Sequence, residues 1–259
     1  MRTLKLTVAY DGTNYVGWQR QLNGLSVQQV IEEAFAPLVG GVAPTVAGAG
    51  RTDAGVHASG QVVSVNLDTD LAVDAIGRAL NVRLPTDVRV MAVTDARPGF
   101  HARFDAVGKA YRYRLSTAAV LSPFDRSYVW HTPEPKRLDW MQQAAAALVG
   151  CHDFLSFQAR GAFVRETVRT LHRLEVTPAG GEIVLECEGD GFLRHMVRII
   201  AGTLAEVGTG LRPASSMHDV LEARDRRVAG ATAPACGLML MAVRYEGSDW
   251  GQTGVRHHG

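Results

Sequence analysis

Residues Gly48 to Gln61 read GAGRTDAGVHASGQ and run directly into the strand-like Val62-Val63-Ser64-Val65. These fourteen positions hold four glycines, and Val56 is their single large apolar side chain. Glycine accepts positive φ and lets the backbone approach a neighbour closely. A polar loop of this composition, pinned against a strand, displays one or two side chains on a rigid edge. Asp53 stands at its centre, with Arg51 before it and His57 after it. Two readings are open here. Asp53 is a displayed reactive carboxylate, or it caps a backbone N–H in a surface turn.

The flanking pattern frames this loop with strands and helices. Residues 3–10 (TLKLTVAY) alternate as a strand does, and Asp11-Gly12-Thr13-Asn14 is a turn signal. The aromatic and polar segment Tyr15 to Gln21 has no clean period and reads as a loop. Ser26 and Gln29 form the spacing of a capping box, and Val27, Val30, Ile31, Ala34 and Leu38 give the helix after it an apolar stripe. A second helix is expected from Thr69 or Asp70 through Leu80, and a strand over Val88 to Thr94. In the second half, Asp139 to Val149 reads as a helix, while Thr167 to Val176 and Glu182 to Glu188 read as a hairpin about Pro178-Ala179-Gly180-Gly181. The longest helix is expected over Asp190 to Val207, with Arg194 and Arg198 on one face. Ser216 and Asp219 cap another helix, and Leu238 to Tyr245 closes as a strand. The tail from Gly247 reads as frayed. The whole implies an α+β fold of two lobes with mixed or antiparallel sheet, spanning 1–104 and 105–259.

With 46% apolar and 20% charged residues, the 259-residue chain is globular. It has no apolar run near the ~20 residues of a membrane span. The N-terminus alternates and lacks the apolar core of a signal peptide, so the expected location is cytoplasmic. Cys151, Cys187 and Cys236 are far apart and read as free thiols. Net charge is +1, which by itself argues for no nucleic-acid partner. Of the 27 basic residues, however, all but Lys5, Lys109 and Lys136 are arginine. Arginine suits phosphate recognition and base stacking, and a GC-rich genome raises it equally well.

Arginines gather in two places. Residues 97–114 (RPGFHARFDAVGKAYRYR) interleave Arg97, Arg103, Lys109, Arg112 and Arg114 with Phe100, Phe104, Tyr111 and Tyr113. Single-stranded nucleic acid needs such a mixture of cations and rings. The same alternation fits a strand with core tyrosines on one face and solvated arginines on the other. Arg160, Arg165, Arg169 and Arg173 form the second cluster.

Asp53 has three candidate roles: metal ligand, general base and nucleophile. Metal ligation needs convergent partners, and only His57 is near in sequence. No phosphate-binding glycine motif or serine-nucleophile elbow is present. A nearby arginine lowers a carboxylate pKa by ~1–3 units and keeps it charged.

The stretch Ala49 to His57 (AGRTDAGVH) resembles the active-site signature of the tRNA pseudouridine synthase A family. Tyr10-Asp11-Gly12, Gly17 to Gln21, Phe100 to Phe104, Tyr111-Arg112-Tyr113 and His195 to Arg198 resemble further blocks of that family, in its order. The resemblance implies an isomerase. It breaks the C1′–N1 bond of uridine, turns the base and rejoins it through C5. It implies Asp53 as nucleophile, Tyr111 beside the target base as stacking partner or acid/base, and Arg198 as partner of the carboxylate. Arg51 and His57 fall to substrate binding, with Arg51 holding the flipped nucleotide. Also implied are a cleft between two lobes, a homodimer, no cofactor or metal, and a substrate in uridines 38 to 40 of the tRNA anticodon stem-loop. Three first steps suit the carboxylate: attack on the ribose, attack on the base, or removal of a sugar proton. One departure is Gln158, where many members carry a basic residue after Ser156-Phe157. An RNA-binding module without turnover and a glycoside hydrolase are the rival readings. Hydrolases of that kind usually pair two carboxylates, and Asp53 has no such partner in the sequence.

Overall fold

In a computed structural model, residues 1–134, 136–161 and 166–247 are described. Among them are ten strands and five α-helices, an α+β architecture with a mixed sheet. The chain divides into two compact units. One is Met1–Val107 together with the chain from Leu240, and the other is Gly108–Met239.

The first unit opens with β1 (Arg2–Tyr10), α1 (Val27–Phe35), β2 (Ala47–Gly48), β3 (His57–Leu67), α2 (Val73–Arg83) and β4 (Val88–Asp95). β1 lies between β3 and β4 and is antiparallel to both. That central place explains its burial. Leu4, Leu6 and Val8 are fully enclosed, and Thr3 and Thr7 on the other face are buried too. Each such leucine contributes ~1.5–3 kcal/mol by leaving water. α1 starts as its sequence predicts: Ser26 Oγ accepts from Gln29 N–H at 3.2 Å. Its buried face carries Val27, Ile31, Ala34 and Phe35. α2 begins later than expected, after Ala72, with no side-chain cap. Thr69 instead turns its hydroxyl to Leu71 N–H.

The second unit holds β5 (Ala106–Ser116, its first two residues in the first unit), β6 (Trp130–His131), α3 (Leu138–Ala146) and β7 (Gly150–Asp153). Then follow β8 (Val168–Ala179), β9 (Glu182–Gly189), α4 (Met196–Gly208) and α5 (Met217–Ala223). Its strands run in the order β5-β9-β8-β7, with β6 parallel to β5. β10 (Leu238–Tyr245) returns the chain to the first unit, where it neighbours β3.

α4 corrects the expectation of a helix from Asp190. It starts at Met196, after His195 in the left-handed region at φ 61°. Arg194 therefore precedes the helix and shares no face of it with Arg198. Asp190 accepts from Thr170 N–H at 3.1 Å instead of capping α4. α3 likewise starts at Leu138, and Asp139 pairs with Arg137. The tail from Ser248 and Arg165 of the second basic cluster lie outside the described residues.

Candidate active site

The Asp53 loop connects β2 to β3, which are antiparallel with Gly48 opposite Val63. Ala49 N–H donates to Val62 O at 2.8 Å, and Gln61 Nε2 donates to Gly50 O at 2.8 Å. These bonds close the base of the loop. Its crown is held by the segment after β1, Tyr15 to Gln21, whose residues follow no period. Trp18 N–H donates to Thr52 O at 3.0 Å, and Gly55 N–H donates to Tyr15 O at 3.4 Å. Val56 N–H closes back on Asp53 O at 3.1 Å. Asp53 is thus half-buried on a backbone bonded on both sides.

Two glycines permit this approach. Gly17 sits at φ 105°, and a Cβ there would meet Thr52 O at 2.5 Å. A Cβ on Gly12 would overlap the carbonyl of Val56. The clamping segment is itself anchored on α1: Gln28 N–H donates to Trp18 O at 3.0 Å, and Arg20 N–H donates to Gln28 Oε1 at 2.9 Å. Arg20 also pairs with the buried Glu32 at 3.0 Å.

Beneath the loop, the Tyr10 hydroxyl meets Thr52 Oγ1 at 2.8 Å. Burial pushes the Tyr10 phenol up to about 12, while its bonds to Thr52 and Gln61 pull the other way. Tyr10, Thr52 and Gln61 were not singled out as site residues in the sequence. Tyr10 and Thr52 are forty-two positions apart, and no local spacing pairs them. Their only signal was membership in the Tyr10-Asp11-Gly12 and GRTDAGVH blocks.

Arg51 is exposed on the loop. His57 is 1% exposed at the start of β3. Its Nδ1 accepts from Gly12 N–H at 3.1 Å and lies 3.1 Å from Asp11 Oδ1. In this geometry His57 positions the turn that supports the loop. Among the described residues, no three His, Cys, Asp or Glu side chains gather to hold a metal ion.

Tyr111 and Arg198 belong to the second unit. Tyr111 lies on β5, 9% exposed, with its ring edge-on to Phe192 at 5.0 Å. Tyr113 is fully buried, and its hydroxyl donates to Pro234 O at 2.8 Å. Arg112 and Arg114 take the other face, as strand alternation requires. They pair with Glu186 and Glu182 of β9, each at 2.7 Å. Arg198 lies in the first turn of α4, and its Nε donates to Ala233 O at 2.8 Å.

The basic clusters are therefore less positive than their sequence suggests. Arg97 pairs with Asp105. Arg173 meets Glu175, Glu186 and Glu188 within 3.1 Å. Glu186 and Glu188 come from the neighbouring β9, Glu175 lies on β8 with Arg173, and Asp105 precedes β5.

The family model described as tRNA pseudouridine synthase matches residues 6–105 and 144–246. The tRNA pseudouridine synthase A of Pelobacter propionicus is 45% identical, covering 95% of this chain and 100% of that one. That of Syntrophotalea carbinolica is 45% identical over 96% and 98% of the two chains. That of Myxococcus xanthus is 46% identical over 95% and 92%. A solved Cbf5-Nop10-Gar1 complex aligns at TM-score 0.36 and 12% identity, covering 92% of this chain and 48% of that one, too slight a likeness to bear on the fold. The matched segments include the clamped Asp53 loop, the segment that clamps it and the helix of Arg198, while β5 with Tyr111 falls between them. This chain belongs to the tRNA pseudouridine synthase family.

Proposed function

We propose that this protein isomerises uridine to pseudouridine at positions 38 to 40 of the tRNA anticodon stem-loop, with Asp53 as nucleophile. The observation that carries this reading is the clamped loop: half-buried Asp53 on a backbone held by the N–H groups of Trp18, Gly55 and Val56. Fixing a nucleophile before substrate arrives removes much of the entropic cost of the reaction. In the isomerisation, the C1′–N1 bond breaks and C1′–C5 forms. The C5 proton leaves to solvent and N1 gains a proton, so no cofactor enters the balance.

Tyr111 serves the target base as stacking partner or acid/base, and Arg198 pairs with the Asp53 carboxylate. Arg51, exposed on the loop, holds the flipped nucleotide. His57 contributes to substrate binding through the loop it supports. Extruding a base costs ~a few kcal/mol, and aromatic stacking at ~1–3 kcal/mol per base offsets it. A two-lobed arrangement about a cleft, a homodimer and a cytoplasmic location belong to the same proposal. Among the described residues, no helix is long and apolar enough to cross a membrane.

The test uses unmodified tRNA tritiated at uridine C5. The wild type releases tritium and leaves the base on the RNA. Asp53→Asn releases none while keeping its fold by circular dichroism. Free uracil would identify a hydrolase, and an active Asp53→Asn would remove the nucleophile assignment. A solution mass measurement reads the oligomeric state.

A further inference from the structure

Within the second unit, the loop after α5 and the residues Ala159 and Arg160 border an open cavity of about 330 Å³. Arg160, Arg226 and Arg227 line it, together with Ala229 to Thr232. We propose that this cavity binds a backbone phosphate of the RNA substrate. The proposal rests on the RNA reading above and adds a contact remote in sequence from the Asp53 loop.

The charges do not balance inside the cavity. One neighbouring carboxylate, Asp225, is committed to Arg227, with Nη2 at 2.6 Å and Nε at 2.8 Å. The same carboxylate accepts from Arg227 N–H at 2.9 Å, which fixes the turn. Arg226 is oriented by neutral partners: Nη2 donates to Thr232 Oγ1 at 3.1 Å and Nη1 donates to Ala229 O at 3.2 Å. A guanidinium carries five N–H donors, so further donors remain on Arg226. Arg160 is exposed, with no ion-pair partner among the described residues. The second carboxylate nearby, Glu206, is paired with Arg212 at 3.2 Å, so among the described residues neither carboxylate forms an ion pair with Arg226 or Arg160. Burial, and then the charge of Arg160, hold the Arg226 guanidinium below its ordinary pKa. An anion between the two arginines relieves that repulsion.

The wall of the cavity is also tied to α4. Gly230 N–H donates to Thr203 Oγ1 and Ala231 N–H to Glu206 Oε1, both at 2.9 Å. Ala233 N–H donates to Arg198 O at 3.1 Å, and Arg198 Nε returns a bond to Ala233 O at 2.8 Å. A phosphate held here is therefore fixed relative to the residue assigned to the catalytic carboxylate. Guanidinium forks match phosphate oxygens in pairs. Structured RNA is gripped largely through phosphates and shape, and an open basic cavity suits a phosphodiester that remains part of a chain.

The experiment measures binding of a tRNA transcript to Arg160→Gln, to the Arg160→Gln/Arg226→Gln double variant and to a control, Arg78→Gln. Arg78 is exposed on α2 in the first unit. Arg160 is exposed too, so its single variant keeps the fold if the double variant does not. Arg160→Gln is expected to weaken the transcript about tenfold, the size of one lost charge-assisted bond. The slope of log affinity against log salt is expected to become shallower by about one per contact removed. Arg78→Gln is expected to bind within about twofold of wild type. Wild-type affinity and slope in Arg160→Gln overturn the proposal. So does loss of inorganic phosphate binding with tRNA binding intact, which would mark a small-anion site. Tritium release by the wild type is run alongside. Its absence would overturn the functional reading, while affinity and salt slope report on the cavity independently of turnover.

Discussion

Gly17→Ala isolates the contribution of the clamp to catalysis. A methyl at this position has two costs. The backbone sits at φ 105°, where an L side chain costs ~1–2 kcal/mol. The new Cβ would also stand 2.5 Å from Thr52 O and 3.0 Å from Asp53 C, where ordinary contact begins at 3.4 Å. The carbonyl of Thr52 must therefore yield by about 0.9 Å, and Asp53 is the next residue. A misplacement near 1 Å costs ~10²-fold in rate. The matched control is Gly99→Ala, also at positive φ (77°), with nothing within 4 Å of its Cβ. It carries the backbone cost alone. Tritium release from C5-labelled tRNA is measured for both variants, with thermal melts confirming that each is folded at the assay temperature. Gly17→Ala is expected to lose about 100-fold in kcat, and Gly99→Ala to stay within about twofold of wild type. Equal kcat in the two variants would refute the claim that the Gly17-Trp18 segment sets the position of Asp53.

Three further outcomes follow from named contacts. The folded-state pKa of Tyr10 is raised from 10.0 to about 12, so its contribution is complete below pH 10 and is lost as pH rises through about 12. Melts across that range should show a smaller alkaline loss in Tyr10→Phe than in wild type, and an identical loss would exclude Tyr10 as a source. At neutral pH the same variant leaves Thr52 Oγ1 without its buried partner, which costs ~1–3 kcal/mol. Arg173→Ala should leave tRNA affinity within about twofold, because Glu175, Glu186 and Glu188 already engage its guanidinium. A tenfold loss in filter binding would show that it reaches the RNA instead.

Local pattern determined much of this molecule. Alternation located β1, because a strand buried between two others must place Leu4, Leu6 and Val8 on its packed face. The Ser26–Gln29 spacing located the start of α1, because the cap bond joins residues three apart. Period two also separated Tyr111 and Tyr113 from Arg112 and Arg114. The glycine-rich loop marked Asp53, and the family blocks marked Tyr111 and Arg198. Long-range contact decided the rest. The start of α4 was set by a left-handed His195, which composition does not encode. The aromatic segment Tyr15 to Gln21 had no period because its backbone bonds are spent on the Asp53 loop and on α1. Which arginines of β5 and β8 remain available to phosphate depended on carboxylates of β9. Sequence spacing governs neighbours within a turn or a pleat. The partners of Thr52 and His57, and the β9 partners of Arg173, were selected by where the fold brings separate elements together.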